Sequence, residues 1–120
     1  MSEPGEVAQA YLEAIGKRDF ELARSYLADR RFSYTSPISS FDDADHFIEQ
    51  ISHIGPILQR LEIRRLFSSG PEAIAIVDFL IAIEGYVTHT AAILFRSENG
   101  KIRSMEGIFD ASDYYRMFSE

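Results

Sequence analysis

Apolar positions recur at three- and four-residue spacing in the first half of the chain and at every second residue in the second half. Val7, Tyr11, Ala14 and Ile15 fall on one face of a helix, with Ala8 and Leu12 beside them. Gly16 stands where a helix is commonly closed. Asp19 is a natural N-cap for a second helix whose stripe is Phe20, Ala23 and Leu27. Residues 32–36 alternate aromatic and small polar side chains up to Pro37, which predicts a short strand. A third helix begins near Asp43, turns Phe47, Ile51 and Ile54 inward, and is stopped by Gly55-Pro56.

The remainder reads as strand after strand: 61–67 with an impure alternation, 73–83 rich in Ile and Val, 86–96, and 101–110. The connections are short, through Ser69-Gly70-Pro71, Glu84-Gly85 and Asn99-Gly100. The last of these is a strong hairpin signal because both residues tolerate positive φ. Tight turns between long strands join antiparallel neighbours, so three strands form a meander. Helices first and strands afterwards predict an α+β fold, with the helices gathered on one face of a curved sheet.

Composition narrows the chemistry. A chain of 120 residues is one domain, spanning 1–120, with enough length to bury a core. There is no cysteine, which excludes disulfides, thiolate metal sites and a cysteine nucleophile. The net charge of −7 argues against nucleic acid, and the basic doublets Lys17-Arg18, Arg30-Arg31 and Arg64-Arg65 form no patch. No signal peptide is readable, and the longest apolar run, 73–83, is broken by Asp78 and is shorter than the ~20 residues of a membrane span. The expectation is a cytoplasmic protein without nucleic-acid or membrane partner. No metal or nucleotide motif is present, so no cofactor is expected.

Three segments resemble the nuclear transport factor 2-like superfamily: "VAQAYLEAIGKRDFELARSYLADRRFSYTSP", "RRLFSSGPEAIAIVDF" and "ILFRSENGKIRSMEGIFD". The likeness is to its SnoaL-like and ketosteroid-isomerase-like members and extends over nearly the whole chain. It implies a cone in which a strongly bent antiparallel sheet wraps about three N-terminal helices and leaves an apolar pocket between them. It also implies a homodimer through the outer face of the sheet. The superfamily holds isomerases, cyclases, dehydratases and epoxide hydrolases, so the fold leaves the activity open.

On a strand one alignment point sets the whole face. The resemblance turns Met105, Gly107 and Phe109 toward the pocket and therefore Ile102, Ser104, Glu106, Ile108 and Asp110 outward. Glu106 and Asp110 then lie roughly 13 Å apart along the strand, too far to share a proton. Asp110 has a structural role available as cap of a last helical turn carrying Tyr114 and Tyr115. The same parity puts Val77, Phe79 and Ile81 in the pocket from one strand, and His89, Ala91, Ile93 and Phe95 from the next. Tyr34 and Ser36 join from the first strand, Tyr11 from the first helix, and Phe47 and Ile51 from the third. Such a lining suits a small apolar or amphipathic molecule.

The resemblance also marks what is missing. Tyr11 matches the tyrosine that holds the enolate oxygen in ketosteroid isomerases. The base of those enzymes falls on Thr35 or Ser36, and the second oxyanion donor at or near Ile93. Ketosteroid isomerisation is therefore not expected. The last-strand acid of the epoxide hydrolases falls on Gly107, while that of the cyclases matches Asp110. Candidate chemistry rests on His89, the versatile acid–base group, on Tyr34 as a hydrogen-bond donor, and on Asp78. Parity turns Asp78 outward toward Arg64, Arg65 or Arg96, and a register shift of one residue would make it a base in the pocket. His46 and His53 are read as a solvated helix face. Three readings follow: a binding protein of unspecified activity, a cofactor-independent isomerase, cyclase or hydrolase, and a structural dimerisation domain whose pocket is filled by phenylalanines.

Overall fold

Helix α1 (Pro4–Gly16) buries Val7, Ala8, Tyr11, Leu12, Ala14 and Ile15, the stripe its spacing predicts. The computed structural model describes residues 4–82, 85–110 and 112. The predicted turn at Tyr114 and Tyr115 and the strand end at Ile83 lie outside the described residues. The helix closes two residues later than Gly16 suggested. Arg18 takes the left-handed conformation with φ 61°, Arg18 N–H donates to the Ile15 carbonyl at 2.9 Å, and Asp19 N–H donates to the Ala14 carbonyl at 2.9 Å. An arginine holds this glycine-like position because its guanidinium donates to the carbonyl oxygens of Gly55 and Leu58, tying α1 to the end of the helical layer.

Asp19 then caps α2 (Phe20–Ser25) by accepting from Leu22 N–H at 3.1 Å. α2 is shorter than its apolar stripe. Leu27 lies beyond it in a backbone bridge to Ile102, yet is only 1% exposed. Helix α3 (Ala44–Ile51) is capped by Asp43 and continues as a 3-10 turn, Ser52–Ile54.

Six strands follow or interleave: β1 (Ser33–Thr35), β2 (Ser40–Phe41), β3 (Leu58–Ser69), β4 (Glu72–Ala82), β5 (Tyr86–Glu98) and β6 (Lys101–Ile108). Their order in one curved, unclosed sheet is β2-β1-β6-β5-β4-β3. β3 to β6 form a meander of four strands, one more than expected, and its β5–β6 hairpin turns at Asn99 (φ 55°) and Gly100 (φ 78°). The sheet is mixed rather than purely antiparallel, because β1 runs parallel to β6. That pairing joins segments some seventy residues apart and leaves no mark on local spacing. The two-residue β2, paired with β1, was likewise not foreseen.

Register irregularities account for the remaining differences. Of two shifts between β3 and β4, the one at Leu58/Arg60 precedes the 61–67 segment and the one at Ile63/Arg65 falls inside it, which accounts for its impure alternation. A third, at Arg96/Ser97 opposite β6, leaves Arg103 as an extra residue, so Ile102 turns inward and is fully buried. This corrects the outward placement of Ile102; Ile108, 54% exposed, does face outward. The helices cover the concave face of the sheet, and Val77, Phe95, Leu58 and Ile102 lie among the fully buried residues beneath them.

Candidate functional site

Between α1, α3 with its 3-10 turn, and the concave face of the sheet lies a cavity of about 490 Å³. Its floor is apolar and buried, from Ile15, Ile81, Ala91, Ile93 and Met105. One wall is aromatic. The Tyr34 ring lies 4.5 Å from that of Phe47 and 6.1 Å from that of Phe41, with Phe79 and Phe109 also lining the space. Ser39, Gln50 and His53 lie on the exposed side and mark the mouth.

The cavity collects Tyr11, Tyr34, Phe47, Ile51, Phe79, Ile81, His89, Ala91, Ile93, Met105, Gly107 and Phe109. Val77 and Phe95 point the same way but lie in the packed core behind the cavity, each 0% exposed. Ser36 is also outside it. Its hydroxyl accepts from Ser39 N–H at 3.2 Å and Ile38 N–H at 3.3 Å, closing the turn that carries Pro37. Asp78 is on the opposite face. Thr90 Oγ1 donates to its Oδ1 at 2.6 Å, and Arg64 lies 3.7 Å from its Oδ2, so the base role is withdrawn and the outward parity stands. Arg96 pairs instead with Glu72, at 3.4 Å. Glu106 and Asp110 are both exposed, and Asp110 accepts from Ser112 N–H at 2.8 Å.

His53 is a residue that sequence spacing misplaced. Read as α-helix, it falls nearly opposite Ile51. The 3-10 turn advances each residue by about 120° instead of about 100°, which swings His53 toward the cavity mouth. His46 remains on the exposed helix surface, edge-on to Phe41 at 5.1 Å. The additional lining from Ile38, Ser39 and Phe41 comes with the unforeseen β2 turn.

Two tyrosines define the polar end of the wall. Tyr11 is 1% exposed, and its hydroxyl is buried with no hydrogen-bond partner among the described residues. Burial pushes its phenol well above the ordinary tyrosine range, and the neighbouring Tyr34 adds to the shift. Burial raises Tyr34 as well, against the opposing pull of the Ser36 hydroxyl. Both therefore remain neutral across the physiological range. Tyr34 Oη lies so close over Gly107 that a Cβ built there would be 2.8 Å from it. The position matching the hydrolase acid thus has no room for a side chain while Tyr34 holds its place.

No Asp, Glu, Lys or Arg lines the cavity among the described residues. Acid–base chemistry there would fall to His53 and His89, and the His89 ring meets Phe109 edge-on at 5.4 Å. No group of three or more His, Cys, Asp or Glu able to hold a metal occurs among the described residues. No described helix is long and apolar enough to cross a membrane. A second recess, between α1 and β3, is lined by Gln9, Glu13, Lys17, Arg60 and Glu62, a mixed-charge surface without a convergent group.

A bent, unclosed sheet folded over helices with a cavity between the layers defines a cone-shaped α+β protein. Solved structures identify the architecture as the nuclear transport factor 2-like (NTF2-like) fold. An NTF2-like protein of unknown function from Burkholderia pseudomallei superposes with a TM-score of 0.85 at 22% identity, over 100% of each chain. An LEH-like epoxide hydrolase from M. tuberculosis gives 0.80 at 17% identity, over 94% of this chain and 86% of that one. TerC, co-crystallized with polyporic acid, gives 0.83 at 18% identity, over 98% and 100%. No protein-family model matches the chain. No curated protein matches it either.

Proposed function

We propose that this chain binds a small, ring-bearing, mainly apolar organic molecule in the cavity between its helices and sheet. The observation that carries this is an open space of about 490 Å³ with an aromatic wall, lined in part by Tyr11, whose buried hydroxyl has no partner among the described residues. That volume falls within the roughly 300–1,000 Å³ of small-molecule sites. A buried hydroxyl without a partner is costly to keep, and a ligand oxygen reaching it would remove the deficit. The epoxide hydrolase and the TerC–polyporic acid complex support the reading, since the same fold serves small organic molecules in those proteins. The cavity lies between Tyr34, Phe79 and Phe109, which argues against a domain packed shut by its own phenylalanines.

Turnover is a second reading of the same site, with His89 moving a proton and Tyr34 polarising an oxygen, because these two share one cavity that has no lining carboxylate among the described residues. We further propose a homodimer through the outer sheet face. Phe67 and Ile74 are paired neighbours there, 61% and 42% exposed, and Ile108 is 54% exposed. Exposed apolar side chains gathered on one face are a common mark of an interface.

The test of ligand binding is a ligand-observed NMR screen of aromatic ketone fragments against the wild type and Ala91→Phe, which fills the floor. Binding to the wild type and its loss in the filled variant are expected. Fragments that ignore the wild type, or bind both proteins alike, would sink the reading.

A further inference from the structure

We propose that the cavity selects a ligand with an acidic group, held between His53 at the mouth and His89 on the β5 wall; this rests on the cavity being a ligand site. The two imidazoles belong to separate walls, the 3-10 turn Ser52–Ile54 and strand β5. Among the described residues they are the lining side chains able to carry a positive charge. The floor offers apolar surface, and the buried wall offers the neutral phenols of Tyr11 and Tyr34. An apolar ring therefore goes inward and a charged end stays at the mouth. A carboxylate there can be met by imidazolium. An ammonium would meet no lining carboxylate among the described residues.

The charged groups on the surrounding elements do not replace the imidazoles. Arg18 is committed to the carbonyl oxygens of Gly55 and Leu58, behind the 3-10 turn. On α3, Asp45 pairs with Arg24 at 2.6 Å, and Glu49 is exposed and outside the lining. On β4, Asp78 faces outward to Thr90 and Arg64. On β6, Glu106 is exposed outside the cavity, and Arg103 lies 3.8 Å from Glu98. Asp110, next to Phe109, is exposed and accepts from Ser112 N–H.

The sign of the pH effect follows. A carboxylate beside an imidazole favours the protonated ring, so binding takes up a proton and affinity rises as pH falls through the imidazole range. The ligand's own carboxyl, titrating near 4, stays ionised down to about pH 5.5.

The experiment titrates para-acetylbenzoic acid and its uncharged methyl ester at about pH 8 and about pH 5.5. Ligand-observed NMR reads binding to the wild type, His53→Asn, His89→Asn and the double variant, with thermal unfolding to verify folding. The acid should bind roughly tenfold more tightly at the lower pH, the gain expected from about one unit of imidazole shift. The ester should show no such gain, and the double variant should lose it. A flat profile for the acid, or a gain that survives in the folded double variant, overturns the inference. Binding of the ester without the acid overturns it while leaving the binding reading intact, and binding of neither overturns both.

Discussion

Tyr11→Phe removes a single oxygen from a place where the described residues give it nothing to bond. The ring stays, and with it the edge-on contact to Phe95 at 6.1 Å and 68°. What disappears is a buried hydroxyl without a described partner. Leaving such a group unsatisfied costs about 1–3 kcal/mol, so the variant should be more stable than the wild type by up to that amount. In a domain of this size each kcal/mol moves the unfolding midpoint by about 3–5 °C, which makes the gain readable by calorimetry or urea titration. The same change should weaken an oxygen-bearing ligand by one hydrogen bond, about 0.5–1.5 kcal/mol or roughly 2- to 12-fold in Kd. Greater stability together with lower affinity is the signature of a group kept for a ligand. A loss of about 1 kcal/mol or more in stability would show that the hydroxyl serves the fold, and the argument from Tyr11 would be refuted.

The same buried phenol sets a pH dependence. Above the ordinary tyrosine value near 10, the unfolded chain loses a proton that folded Tyr11 keeps, so stability falls by about 1.4 kcal/mol per pH unit from this residue; urea midpoints taken from pH 9 upward should show a shallower decline in Tyr11→Phe, and an unchanged slope would contradict the shift. Gly107→Ala places a methyl group 2.8 Å from Tyr34 Oη, and since that ring is packed against Phe47 the strain should cost about 1–3 kcal/mol in chemical unfolding. Asp78→Asn keeps an acceptor for Thr90 and loses only the 3.7 Å approach of Arg64, so stability should change by about 1 kcal/mol or less and ligand affinity not at all; abolished binding would put Asp78 back in the cavity. Phe67→Glu combined with Ile108→Glu should convert a sedimenting dimer to a monomer, and an unchanged wild-type and variant mass would remove the outer face as the interface.

The fold was legible where one periodicity ruled a long segment. The stripe of α1 and the alternation of β4 and β5 each bury the residues their spacing selects. Legibility failed where one residue was added or a turn tightened. Arg103 on β6 reverses the parity of Ile102, and a bulge carries no obligatory residue type that would announce it. Gly16 looked like the helix stop, yet Arg18 takes the left-handed position because its side chain bonds to carbonyls of Gly55 and Leu58, some forty residues away.

The cavity followed the same rule, which explains which of its residues could be named in advance. Those on long strands, from Phe79 and Ile81 to His89, Ala91 and Ile93, come to one space because parity on a strand propagates without error between bulges. Val77 shares that parity but lies deeper, since α1 covers its end of the sheet; alternation gives a face and says nothing of depth along it. The mouth is built from irregular chain, the Ser36–Ser39 turn and the 3-10 turn with His53, where no period applies. On the proposed reading, selectivity among ligands is set at the mouth, because the floor offers apolar surface and neutral phenols to any ring that fits. On the proposed reading, an acid is told from its ester by one histidine that parity could place, His89 on β5, and by one on irregular chain, His53, that it could not.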